Sequence, residues 1–150
     1  MDMTPSMHRA LAVAAFNSTW DILEVGDDER SADATEEMVR RAYAAAYHWQ
    51  RAEGYTTVNE ARSLWMLSRV WRASGNGDMA LHYAQRCWAV TEESNLIDFD
   101  LAYACDAMAR ALAMTGRSRE AFQWWERAMA VEVKNDGDRE QLLSDIGIAP

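Results

Sequence analysis

The stretch "EARSLWMLSRVWRASG", Glu60–Gly75, decides how this chain folds. Leu64, Leu67 and Trp71 recur at i, i+3 and i+7 and form one helical stripe. Arg62, Trp65, Arg69 and Arg72 form a second stripe on the same helix. The two tryptophans stand about 240° apart at 100° per residue, so they do not share a face. Trp71 reads as core bulk, and Trp65, flanked by guanidinium groups, reads as surface facing a partner. Gly75 closes the helix, as glycine does where a helix turns into a left-handed residue.

Displaced by 41 residues, this stretch and its continuation meet a second copy of themselves. Ala61, Arg69, Gly75, Ala80, Arg86, Ala89 and Val90 fall on Ala102, Arg110, Gly116, Ala121, Arg127, Ala130 and Val131, all identical. Leu64/Cys105, Leu67/Met108, Trp71/Leu112, Leu81/Phe122 and Tyr83/Trp124 pair large apolar groups. Residues 57–93 and 98–134 therefore read as two copies of one helical hairpin. Residues 5–53 join as a degenerate first hairpin, in which Ala45, Trp49, Arg51 and Ala52 echo Ala121, Trp125, Arg127 and Ala128.

The rest of the chain agrees. Apolar periodicity is helical throughout, and no alternating strand pattern of useful length occurs. Only Pro5 and Pro150 are proline, so no helix between them is interrupted. Seven helices are expected, at about 5–25, 34–53, 58–74, 78–93, 98–115, 118–134 and 138–146, the last a capping helix. Thr4 and Pro5 start the first; Asp33 with Glu36, and Thr57 with Glu60, have capping-box spacing. The whole, 1–150, is expected to be one domain.

The small and large residues at fixed positions resemble those of the tetratricopeptide repeat. Leu64, Leu67, Ser68, Trp71, Gly75, Ala80, Ala84 and Cys87 match its pattern in one copy. Cys105, Met108, Ala109, Leu112, Gly116, Ala121, Trp125 and Ala128 match it in the next. The period of 41 exceeds the family's usual 34, and the family's terminal proline is missing from both copies. The chain is also similar to small bacterial helical-repeat proteins, a likeness that brings no function with it. The resemblance implies an all-α, right-handed antiparallel hairpin solenoid of about three hairpins. It also implies that the second stripe faces a concave groove.

Charge bounds the partners. The net charge is −9, with acidic ends and a basic middle: residues 40–86 carry seven arginines against three acids. An acidic chain argues against nucleic acid. No apolar run is long enough to cross a membrane, and the N-terminus reads as a helix start rather than a signal peptide. Cys87 and Cys105 lie in helical patterns, which favours reduced thiols and a cytoplasmic location.

By the resemblance, the groove is lined by Arg62, Trp65, Arg69 and Arg72, with Tyr103, Asp106 and Arg110 from the next hairpin. Arginine forks suit carboxylates and aromatic faces suit planar or apolar groups. The expected function is a non-enzymatic module binding a protein or peptide through acidic or C-terminal carboxylate groups. The bland reading is solvated arginines paired with the chain's own acids, with the N-terminal acidic segment even lying across the groove. A second expectation is a small-molecule-binding protein or regulator with a Trp/Tyr-lined pocket between helices 2, 3 and 5, fixed by Tyr47, His48 and Arg69. A third is a helical enzyme of unrecognised type. No catalytic motif, metal-ligand spacing or cofactor-binding loop is present, so no catalytic residue, metal or cofactor is expected. An exposed Trp88 or Trp124 would mark a homodimer surface.

Overall fold

A computed structural model describes residues 2–150. Among the described residues there are seven helices and no strand: α1 (Pro5–Leu23), α2 (Ala32–Trp49), α3 (Thr57–Ala73), α4 (Gly77–Glu93), α5 (Asp98–Met114), α6 (Ser118–Ala130) and α7 (Asp136–Ile146). None is long and apolar enough to cross a membrane.

The caps explain the boundaries. Thr4 accepts from the Met7 amide to start α1, as expected. The start of α2 is set by Ser31, not Asp33: its hydroxyl accepts from the Ala34 amide at 3.1 Å. The box opening α3 sits one residue earlier than expected, between Thr56 and Asn59, whose side-chain oxygen accepts from the Thr56 amide at 2.9 Å. Either side-chain type satisfies the orphan amides of a first turn, so sequence spacing alone does not choose between neighbours. The far ends of α2 and α6 fall short of the expected 53 and 134, because turns at 50–54 and the extended Val131 release the backbone.

The 41-residue repeat is visible at the hinges. Gly75 and Gly116 both take a left-handed φ, +80° and +81°. After each, the next amide returns to the equivalent carbonyl: Asn76 to Trp71 and Arg117 to Leu112, both at 3.0 Å. Both turns close their helix with the same pair of backwards hydrogen bonds. Asn95 does this at the end of α4 with φ +52°, and the Leu96 amide reaches Thr91.

Helices pack mainly on their chain neighbours: α1 on α2, α3 on α4, α5 on α6, with α2–α3 and α4–α5 as seams. Small residues let the helices approach. Ala80, Ala84, Ala107, Ala111 and Ala121 are buried together with Met108 and Leu112 where α4, α5 and α6 meet. Met38, Ala42, Met66, Leu67 and Val70 fill the space between α2 and α3 under Leu23. Trp71 is not the fully enclosed core residue expected. It is half-buried, and its indole N–H donates to the Tyr43 hydroxyl at 3.1 Å, which in turn donates to Tyr83 at 2.8 Å. A polar ring edge keeps it at the seam, where its N–H finds a partner.

The stacking is irregular at one place. α3 packs directly on α5, whereas α1 makes no comparable backbone approach to α3. The gap is bridged by side chains, Phe16 and Trp20 from α1 and Trp65 from α3, and it is where the cavities lie.

Candidate functional site

Two adjoining cavities open along the α1–α3–α5 face, with α7 across one end. They share Trp20, Trp65, Tyr103 and Asp145 as common walls. The smaller, about 130 Å³, is also lined by Ser68, Arg69, Arg72, Asp106 and Arg110. The larger, about 590 Å³, is also lined by Phe16, Glu24, Arg62, Phe99 and Asp100.

Trp65 is half-buried, with its ring 5.8 Å from Trp20 and 5.6 Å, nearly edge-on, from Tyr103. It is neither sealed under α1 nor free in solvent. All seven residues expected to share a groove line one cavity or the other, but their states differ. Arg62 is engaged: its Nε and Nη2 fork onto Asp100 at 2.9 and 3.2 Å, and its guanidinium lies 4.9 Å from the Phe99 ring centre. Arg110 is engaged as well. It donates to buried Asp106 at 3.0 Å and to the carbonyls of Ile146 and Ile148. Tyr103 donates its hydroxyl to Asp145 on α7.

Arg69 and Arg72 are different. Both line the smaller cavity half-buried, and neither has a hydrogen-bond or ion-pair partner among the described residues, unlike Arg62 and Arg110. Burial pulls both guanidiniums below their usual range, and for Arg72 repulsion from Arg69 adds to it, bringing it to about 10. Asp106 moves the opposite way. Burial raises its carboxyl above the ordinary range although Arg110, Arg72 and Arg69 all favour its charge. The ion pair is therefore not strong enough to offset desolvation, a familiar outcome for a buried pair. The smaller cavity holds three guanidiniums against two carboxylates, a formal excess of one positive charge.

Acids from both ends of the chain reach this face: Asp145 of α7 lines both cavities, Glu24 lines the larger, and Asp27 of the acidic N-terminal loop favours the charge of Arg69 and Arg72. The alternative grouping of Tyr47, His48 and Arg69 is not brought together. Tyr47 and His48 line neither cavity: they lie at the end of α2 beside α1, where His48 Nδ1 meets His8 Nδ1 at 2.8 Å. Tyr47 is exposed, with Arg51 stacked over its ring at 3.8 Å. The roomy cavity lies between α1, α3 and α5, not between α2, α3 and α5.

Elsewhere, burial pushes the Cys87 thiol up to about 12 and Cys105 to about 11, which removes thiolate reactivity from both. Among the described residues no group of three or more His, Cys, Asp or Glu is placed to hold a metal ion. Trp88 and Trp124 are half-buried against each other, 4.9 Å apart and edge-on, with Arg127 stacked over both rings. Trp125 donates to the Ile146 carbonyl at 2.8 Å, tying α6 to the end of α7.

Sequence reasoning missed Phe16 and Trp20 on α1, Glu24 capping its end, and Phe99 and Asp145. The α1 group had a signal, since the three recur at i, i+4 and i+8 on one helix face. Asp145 had none, because only the packing of α7 brings it over the groove. No family model, no curated protein and no solved structure matches the chain.

Proposed function

We propose that this protein is a non-enzymatic binding module of the tetratricopeptide-like kind. In this reading it is a right-handed solenoid of three helical hairpins with α7 as its cap, and it holds a carboxylate-bearing protein or peptide partner. The observation that carries the reading is the pair Arg69 and Arg72, half-buried in one cavity with no ion-pair partner in contact and with nearby acids that offset their burial only in part. Burying a guanidinium without a partner is costly, and a ligand carboxylate removes that cost. Each such contact contributes roughly 1.5–3 kcal/mol when shielded from water. Trp65 and Trp20 supply flat walls beside the charge. Arg62 and Arg110 act as scaffolding, since each already holds an acid of the chain.

The test uses a peptide array with free C-termini, paired with the same peptides amidated, probed with the purified protein. Peptides with accessible carboxylates are expected to bind. The double variant Arg69→Gln/Arg72→Gln is expected to lose at least about tenfold in affinity with an unchanged circular dichroism spectrum. Arg40→Gln, which removes an exposed surface pair on α2, serves as the control and leaves binding intact. Equal affinity of the double variant and the parent protein would remove the basis of the reading.

A second reading, a small-molecule-binding protein or regulator, draws support from the size of the larger cavity. About 590 Å³ falls within the range of small-ligand pockets. A native mass spectrum carrying a retained small ligand would favour it over the first.

A further inference from the structure

The larger cavity has a different chemistry from its neighbour. Five aromatic rings line it, Phe16, Trp20, Trp65, Phe99 and Tyr103. Trp65 and Tyr103 meet at 76° and Phe99 and Tyr103 at 89°, while Trp20 and Trp65 are tilted by 32°. The π faces of such rings carry negative charge density, which attracts a cation that reaches them. The charged groups on its walls are Glu24, Asp100 and Asp145 against Arg62 alone, a formal excess of two negative charges.

Arg62 already cancels Asp100 by a two-pronged pair. The Glu24 carboxylate has no hydrogen-bond or ion-pair partner among the described residues. Asp145 receives the Tyr103 hydroxyl and the Gln141 amide, but no cation. One cation of the chain already uses this wall, since Arg62 rests on the Phe99 face. The space itself is left with rings and two solvent-exposed carboxylates that no cation contacts, Asp145 also facing Arg69 from the shared wall. A neutral apolar group would be served by the rings alone, and an anion would be repelled. A soft organic cation uses both.

We infer that the larger cavity is a binding site for an organic ammonium group. Trp20, Trp65 and Tyr103 would cage it, with Glu24 and Asp145 as counter-charges. The cavity adjoins the Arg69/Arg72 pocket through shared walls. The preferred ligand is therefore zwitterionic, with an alkylammonium in the large chamber and a carboxylate in the small one. The second half of that statement rests on the carboxylate reading of Arg69 and Arg72; the ammonium site does not.

Choline and its uncharged isostere 3,3-dimethylbutan-1-ol have nearly the same shape and differ in charge, so they isolate the cation term. Each is titrated into the ¹⁵N-labelled full chain, following the indole N–H resonances. Choline is expected to shift Trp20 and Trp65 saturably and to bind at least about fivefold more tightly than the isostere. Glu24→Gln, at an exposed position that leaves the fold intact, is expected to weaken choline several-fold and leave the isostere unchanged. Equal binding of the two probes, no binding of either, or shifts confined to other tryptophans overturns the proposal.

The zwitterion is tested with 6-(trimethylammonio)hexanoate against its methyl ester. The acid is expected to bind more tightly, and Arg69→Gln/Arg72→Gln to abolish the difference. If choline binds but acid and ester bind alike, the ammonium site stands and the carboxylate reading fails. If choline does not bind but the array peptides do, the reverse holds.

Discussion

Ala84 has no accessible surface where α4 meets α5, with Ala107, Met108 and Ala111 around it. A methyl group is all the space admits, since interiors are packed to crystal density. Ala84→Leu is expected to lower unfolding stability by about 1–3 kcal/mol, read from urea melts, because the added carbons force the helices apart. An unchanged midpoint would mean that the α4–α5 seam yields to the larger side chain. Its repeat counterpart Trp125 is half-buried at the surface, hydrogen-bonded to Ile146. Equivalent positions thus do different work. Ala84 sits where α4, α5 and α6 meet, whereas only α7 follows Trp125. The repeat pattern made the small residue at 84 legible. It could not foretell which layer would lack a neighbour.

α7 is the least secured helix. It packs on α5 through Leu142 and Ile146, and Leu143 stays half exposed. Side-chain bonds hold it down: Tyr103 to Asp145, Arg110 to the Ile146 and Ile148 carbonyls, and Trp125 to Ile146. Tyr103→Phe keeps the ring and removes one of these bonds, a loss of about 0.5–1.5 kcal/mol. Amide exchange in α7 is expected to quicken about three- to tenfold while α3 and α5 keep their protection. Equal acceleration in all three helices would show that Tyr103 supports the whole fold instead. The existence and order of all seven helices were readable from periodicity, glycines and proline placement. The caps at Ser31 and Thr56 were not, because neighbouring residues offered the same chemistry. The groove stripe was readable as an angle on α3. The gap between α1 and α3 was hidden, for it depends on how far two backbones stand apart.

At the scale of the whole molecule, the charge pattern is put to spatial use. The basic middle segment supplies Arg69 and Arg72 to the smaller cavity, and the acidic ends supply Glu24 to the larger and Asp145 to the wall the two share. Net charge by segment was legible in the sequence; the excess of positive charge in one chamber and of negative charge in the other required the fold. Acid sensitivity arises at a different place, the α1–α2 end. Burial, then His8 and Arg51, lower the pKa of His48 below 6.5. The unfolded chain therefore takes up a proton first as pH falls through 6.5, and this contribution to stability is lost with acidification. Urea midpoints are expected to fall between pH 7 and 5, and to fall less in His48→Gln. An identical pH slope in the variant would assign the loss elsewhere. The contact between His8 and His48 also has an arithmetic of its own. Two Nδ1 atoms at 2.8 Å accommodate one hydrogen between them, so one ring must donate while the other accepts. With two hydrogens the atoms repel, and with none the lone pairs do. The first and second helices are thus joined, at this end, by a fastening whose fit depends on holding a single proton.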